Sequence, residues 1–223
     1  MRKISKALLH PVKTGCQWRM IPDNYLNWQL VYYYFKTWND EEIIDHILHM
    51  LREANCVKRG RNAQPSAGFV NSQSVRSYNN VALKSFDGRK KVKVRKRQIV
   101  VDTQGFLLCV LVTMAHLHDS SVAERLFRRL KENLFGSKII VADGGYRGDL
   151  IERTKDKFNY ILKIVMRSDK TDVFSLIPRR WVVERTFSWL ENDRRLCRDY
   201  ETLMESTEAM IKLAAIKLLV RTR

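Results

Sequence analysis

No stretch of this 223-residue chain approaches the roughly 18 apolar residues that a membrane span needs. Its longest apolar run, 106–112, has only the length of a strand. Cysteine is scarce and scattered: Cys16, Cys56, Cys109 and Cys197 form no C-x-x-C pair. That spacing argues against a zinc site and a disulfide framework, and for reduced, mostly buried thiols in a cytosolic protein. The first residues hold neither an apolar h-region nor a small-residue cleavage site, so nothing suggests export. Internal repeats and low-complexity segments are absent too. Acid is in shortest supply, since 24 Asp and Glu face 41 Lys and Arg and leave a formal charge of +17. An excess of that size repels itself in a compact fold and persists where a polyanion neutralises it. Nucleic acid is the first candidate, and an anionic membrane surface the weaker second. With 45% hydrophobic and 29% charged residues the chain reads as globular rather than disordered. Its length suits one full domain and a small appendage.

The texture changes near residue 58. Before it the chain reads as helical, with Trp28, Tyr32, Phe35 and Trp38 recurring at helical spacing. Asn39 and Asp40 followed by Glu41 and Glu42 read as an N-cap and an acidic first turn opening a second helix. Two helices joined this way could be a DNA-reading helix-turn-helix or a plain hairpin packed on the main domain, and the aromatic stripe favours the hairpin. The polar, turn-rich segment 58–68 reads as a linker. Beyond it, strands are expected at 69–75, 98–103, 106–113, 138–142 and 160–166, the second and third forming a hairpin about Gln104-Gly105. Helices are expected at 121–134, 179–191 and 206–220. This order argues for a mixed sheet covered by helices.

Two acids stand out by context. Asp143 ends a short apolar strand and precedes two glycines, the kind of place where open α/β sheets hold ligands, although Asp-Gly is also common turn chemistry. Glu184 follows three apolar residues within 179–187, which holds it near the sheet, and on a helix it shares a face with Arg180. The run Arg89, Lys90, Lys91, Val92, Lys93, Val94, Arg95, Lys96, Arg97 lies between predicted strands and has the charge density expected of DNA phosphate contacts. Arg180 and Arg185 are further candidates for such contacts. His116, His118 and Asp119, like His46 and His49, lack a third ligand at a metal-site spacing and read as structural or incidental.

Six segments, in order and in spacing, resemble the insertion-sequence DDE transposases with a ribonuclease H-like catalytic domain. They are 14–22 (TGCQWRMIP), 31–35 (VYYYF), 72–75 (SQSV), 88–93 (GRKKVK), 142–146 (ADGGY) and 179–187 (RRWVVERTF). The resemblance implies an α/β, ribonuclease H-like mixed sheet flanked by helices, with a helical region at 1–57, a linker at 58–68 and the catalytic domain at 69–223. It implies three carboxylates that hold two divalent ions, Mg²⁺ or Mn²⁺. Such ions activate water or a DNA 3′-hydroxyl and stabilise the leaving oxygen of an in-line phosphoryl displacement. Asp143 matches the second aspartate and Glu184 the glutamate, with Arg180 where the helix signature expects an arginine. The first aspartate is replaced, because the pattern Asp-Ser-Gln-Ser here reads Asn71, Ser72, Gln73, Ser74. Asn71 keeps an oxygen that can touch a metal and loses the charge, a serious deficit where fields are weakly screened.

Further departures are a shorter N-terminal part, with 1–12 reading as an unrelated lead-in, and Val94 and Gln98 where the family has glycine and histidine. Together they suggest a truncated or decayed copy. The implied activity is metal-dependent DNA cleavage and strand transfer at insertion-sequence ends, impaired at Asn71; the alternative is a catalytically dead remnant that still grips DNA. The implied partners are double-stranded DNA, as transposon ends and target, and a second copy forming a homodimer on DNA, with no membrane; the implied location is the cytoplasm, at the nucleoid. A basic RNA-binding protein would fit the charge and leave the co-linear segments unexplained. From the charge, the purified chain is expected to retard duplex DNA in a gel with an affinity that falls steeply as salt rises. Binding indifferent to salt would contradict this expectation.

Overall fold

A computed structural model of the chain describes residues 2–78, 85–87, 92–133, 139–165 and 181–221. Strand β1 (Ala67–Arg76) lies inside a mixed sheet, antiparallel to β3 (Val92–Val101) and parallel to β5 (Ile139–Ala142). The short β2 (Ser85–Asp87) and the longer β4 (Leu107–Met114) both pair antiparallel with β3, and β6 (Ile161–Ile164) pairs parallel with β5. The main order is β4-β3-β1-β5-β6, an antiparallel half joined through β1 to a parallel half. This is the expected ribonuclease H-like α/β sheet. The β3–β4 turn falls where Gln104-Gly105 predicts it. Asp102 Oδ1 accepts the N–H groups of Gln104 and Phe106 at 2.7 and 2.9 Å, and Gly105 adopts φ +87°.

Both faces of the sheet are covered. On one, α4 (Asp119–Asn133) and α5 (Leu150–Phe158) bury Leu126, Phe127 and Leu150 against Val70, Val100, Leu108 and Ile140. On the other lie α6 (Trp181–Glu191) and α7 (Met204–Arg221), whose Val183, Phe187 and Ala214 join Phe69, Ile99 and Val110. Helix α7 is apolar nearly all round because it is covered twice. It packs on β4 and α6, and also on α1 (Arg2–Thr14) and α3 (Ile43–Lys58), while α2 (Trp28–Asp40) bridges those two helices. The N-terminal helices and the sheet therefore share one core. Within 1–12, expected as a lead-in, residues 2–12 form most of α1, with Ile4, Ala7, Leu8 and Val12 buried.

The helix boundary near residue 40 differs from expectation. Asn39 and Asp40 close α2 rather than open α3: Glu41 donates its N–H to Thr37 O, and Glu42 takes a left-handed conformation (φ 56°) just before α3. The helical hydrogen bonding of the aromatic stripe thus runs on past its last tryptophan.

The basic run departs further. Val92 to Arg97, expected between strands, belong to β3, and residues 94–97 lie in the middle of the sheet. Alternation along a strand sends odd and even positions to opposite faces. Arg95 and Arg97 share the face of Ile99 and Val101 and are buried. Arg95 bonds the carbonyls of Glu201 and Thr202 (2.9 and 2.7 Å) and pairs with Asp199 at 3.3 Å; Arg97 reaches Leu196 O at 2.7 Å. Burial lowers the Arg97 pKa to about 10, which still leaves it charged at neutral pH. These bonds tie the α6–α7 connection to the sheet. Asp199 also accepts from Thr207 Oγ1 at 2.9 Å and from the Glu201 N–H at 3.1 Å. Replacing Asp199 by Ala would leave a buried cation uncompensated. A loss of about 3–5 kcal/mol in urea unfolding is expected, against less than about 1 kcal/mol for Asp45→Ala at the partly exposed pair with Lys212.

Candidate active site

The pairing of β1 with β5 positions two of the three expected site residues. The register sets Phe69 beside Val141, and two residues further on each strand stand Asn71 and Asp143. Asn71 leaves β1 on the face of Phe69, because strand side chains alternate with period two, whereas Asp143 follows the last residue of β5 and caps the turn Gly144–Tyr146. The Phe69 face is covered by α6, and Gln73 of β1 donates to Glu191 of α6 at 2.7 Å. Glu184 lies two turns before Glu191 on the same flank of α6 and is exposed. Trp181, three residues before Glu184, neighbours it on the exposed side of the helix, and Arg185 and Trp189 follow further round. Asn71 thus lies in the middle of β1, Asp143 just past the end of the neighbouring β5, and Glu184 stands exposed on α6.

Asn71 and Asp143 are held locally. Asn71 Oδ1 accepts the N–H of Ser72 at 2.8 Å, a bond that an aspartate would make equally well. Asp143 Oδ1 accepts the Gly145 N–H at 2.9 Å, closing the turn after β5. Gly105 fixes how closely α6 approaches. A Cβ there would come within 2.8 Å of Thr186 Oγ1, and that hydroxyl donates to Gly105 O at 2.8 Å.

A second acid lies beside Asp143, one that the sequence reading set aside together with His116 and His118. Asp119, first residue of α4, takes hydrogen bonds from Ser72 Oγ at 3.2 Å and Gln98 Nε2 at 3.3 Å, and pairs with Lys96 at 3.2 Å. A Cβ built on Gly145 would lie 3.1 Å from Asp143 Oδ1 and 3.5 Å from Asp119 Oδ2, so both carboxylates border one small space. The buried Tyr146 is close by. Its hydroxyl pKa is raised well above the usual value by burial first, then by Asp119 and Asp143. Of the two histidines weighed with it, His118 turns to its own helix start, its Nδ1 meeting Ser120 Oγ at 2.8 Å.

The expected phosphate contacts divide. Arg95 and Arg97 point inward and Lys96 is held by Asp119, so these three are corrected to internal roles: each guanidinium or ammonium already has protein partners where a phosphate would have to enter. Lys93 has its backbone in β3, while Arg89, Lys90, Lys91 and Arg180 lie outside the described residues. Arg185 is partly exposed, held 4.4 Å from the ring centres of both Trp181 and Trp189, and donates to Gln104 O at 2.8 Å.

The family model described as "Transposase DDE domain" matches residues 62–219. The chain belongs to the DDE transposase family. A second model, for transposases of the IS4/5 family, matches residues 1–48 and so takes in the lead-in, which belongs with the family rather than standing apart from it. No curated protein matches the chain significantly. Among solved structures, it is similar to a piggyBac transposase synaptic complex with hairpin DNA (TM-score 0.39, 12% identity, 69% of this chain and 46% of that one). It is also similar to a Mos1 transposase paired-end complex with left transposon end (TM-score 0.31, 11% identity, 52% and 41%). The chain spans less than half the length of either.

DDE transposases generally use divalent metal ions. The oxygen donors of Asn71 and Asp143 suit a hard cation in kind. In charge they fall short of a three-carboxylate set. Among the described residues no three His, Cys, Asp or Glu side chains gather closely enough to hold a metal. In this DDE protein, Asp119→Ala is expected to cost about 1–3 kcal/mol of stability, since three donors lose a charged acceptor. Glu184→Ala, at an exposed position, is expected to change it by less than about 0.5 kcal/mol. Thermal unfolding of both variants compares the two.

Proposed function

We propose that the chain is a DNA transposase whose site for metal-dependent phosphodiester cleavage and strand transfer consists of Asn71, Asp143 and Glu184, and that Asn71 curtails its turnover. The observation that supports this reading is the β1–β5 register, in which Phe69 pairs with Val141, each two residues before Asn71 and Asp143. Family membership and the +17 charge support it independently. Mg²⁺ or Mn²⁺, two ions in a fully charged site, would be held by the oxygens of these three residues. When bound they supply activation of water or a 3′-hydroxyl and charge neutralisation at the leaving oxygen.

The chain's own residues do the rest. Asn71 would offer an oxygen from the middle of β1, Asp143 one from the turn after β5, and Glu184 a carboxylate on the helix that Thr186 holds at Gly105. Arg89, Lys90, Lys91, Lys93, Arg180 and Arg185 would contact phosphates of double-stranded DNA, at transposon ends and target, with a homodimer on the DNA. A second reading, a catalytically dead DNA-binding remnant, is favoured by one observation: an amide stands where the family has its first carboxylate.

Asn71→Asp decides between them. The variant retains the acceptor for the Ser72 N–H and restores the missing charge, so it is expected to fold and to gain Mg²⁺-dependent nicking and joining of transposon-end duplexes at least tenfold over the unaltered chain, about 1.4 kcal/mol of barrier. Glu184→Ala in that background should abolish the gain. Strong cleavage by the unaltered chain would overturn the claim about Asn71, and no gain in Asn71→Asp would favour the remnant.

A further inference from the structure

The pairing of β1 with β5 stops short of the proposed site. Its last pair is Phe69 with Val141, and Asn71 and Asp143 each lie two residues further on. Beyond that pair the ladder no longer sets the distance between the two chains, so the spacing of the two site residues needs another support.

Asp119, the first residue of α4, reaches both chains there. Its Oδ2 accepts from Ser72 Oγ at 3.2 Å, one residue after Asn71. The same oxygen lies 3.5 Å from the point where a Cβ on Gly145 would stand, and Asp143 Oδ1 lies 3.1 Å from that point. Only a residue without a Cβ lets the turn after β5 sit this close to both carboxylates. Asp119 is itself fixed by β3. Its Oδ1 accepts from Gln98 Nε2 at 3.3 Å and pairs with Lys96 at 3.2 Å. Lys96 also donates to Leu117 O at 2.9 Å, just before α4 begins. Tyr146, the last residue of the turn, is fully buried, so lifting the turn away would open the core.

We propose that Asp119 is a positioning residue of the site: by holding Ser72 and bordering Gly145 it sets the separation of residue 71 from Asp143, and so the span across which both can reach one cation. The inference rests on the cation-site reading above and adds to it a residue that acts without touching the cation. A role through charge alone is opposed by Lys96, which pairs with the same carboxylate. Groups that orient metal ligands from behind typically change metal affinity about 10- to 100-fold when removed.

The test measures Mn²⁺ dissociation constants by electron paramagnetic resonance on the full chain, with thermal unfolding as the check on folding. The parent is Asn71→Asp, so that residue 71 carries a charge. Added to it, Asp119→Ala should weaken Mn²⁺ binding about tenfold. Asp119→Asn should stay within about threefold of the parent, because the Ser72 hydroxyl can accept from the new amide as readily as it donates to the carboxylate. Ser72→Ala deletes one bond, leaves every acid in place and should weaken binding about fivefold; it decides the matter if Asp119→Ala does not fold. Equal losses in Asp119→Asn and Asp119→Ala would make the role one of charge and overturn the proposal. Affinity unchanged by Ser72→Ala, with binding abolished by Asp143→Ala, sinks this inference alone. Mn²⁺ binding that is absent from the parent, or that survives Asp143→Ala, removes the cation-site reading as well.

Discussion

The architecture depends on keeping two charged guanidinium groups inside the protein. Arg95 and Arg97 sit on the inner face of a central strand, where an unpaired cation would cost several kcal/mol. The carbonyls of Leu196, Glu201 and Thr202 and the carboxylate of Asp199 reach in to meet them. Those groups belong to the irregular segment between α6 and α7, so satisfying the arginines also anchors that segment. With its C-terminal end anchored there and its middle held by Thr186 at Gly105, α6 has little freedom to slide over the sheet. The position of Glu184 follows from that clamping as much as from its own surroundings.

The opposite face uses charge differently. Asp119 at the first turn of α4 collects Ser72, Gln98 and Lys96 from two neighbouring strands, and its own helix terminus favours a negative charge there. Ser72 follows Asn71 directly, so the backbone that carries the first site residue is pinned from below while Asp143 stands beside it. The shared space at Gly145 sets the carboxylates of Asp119 and Asp143 beside the buried Tyr146, whose hydroxyl they help burial to keep protonated.

Most of the sheet could be read from the sequence, because alternation, short apolar runs and the Gln104-Gly105 turn act locally. Asp143 was visible by its place at a strand end, and Glu184 by its apolar neighbours together with the resemblance. Local patterns misled where tertiary contacts decide. A dense basic run suggests a solvated surface, and only the partners of Arg95 and Arg97, about a hundred residues away, reveal them as internal. Asn39 and Asp40 have good capping chemistry, yet the helix before them continues through that point. Asp119 carried too little local signal, since its importance comes from β1, β3 and the β5 turn, brought together only in the folded chain.

Helix α7 has apolar residues on nearly every side, and the N-terminal helices α1 and α3 cover the side that the sheet leaves open. Protein made from an internal start beyond α3 would present that bare helix to water. Such a fragment would clump or be degraded rather than stay in solution. The shared core couples inheritance of the helical part to survival of the sheet.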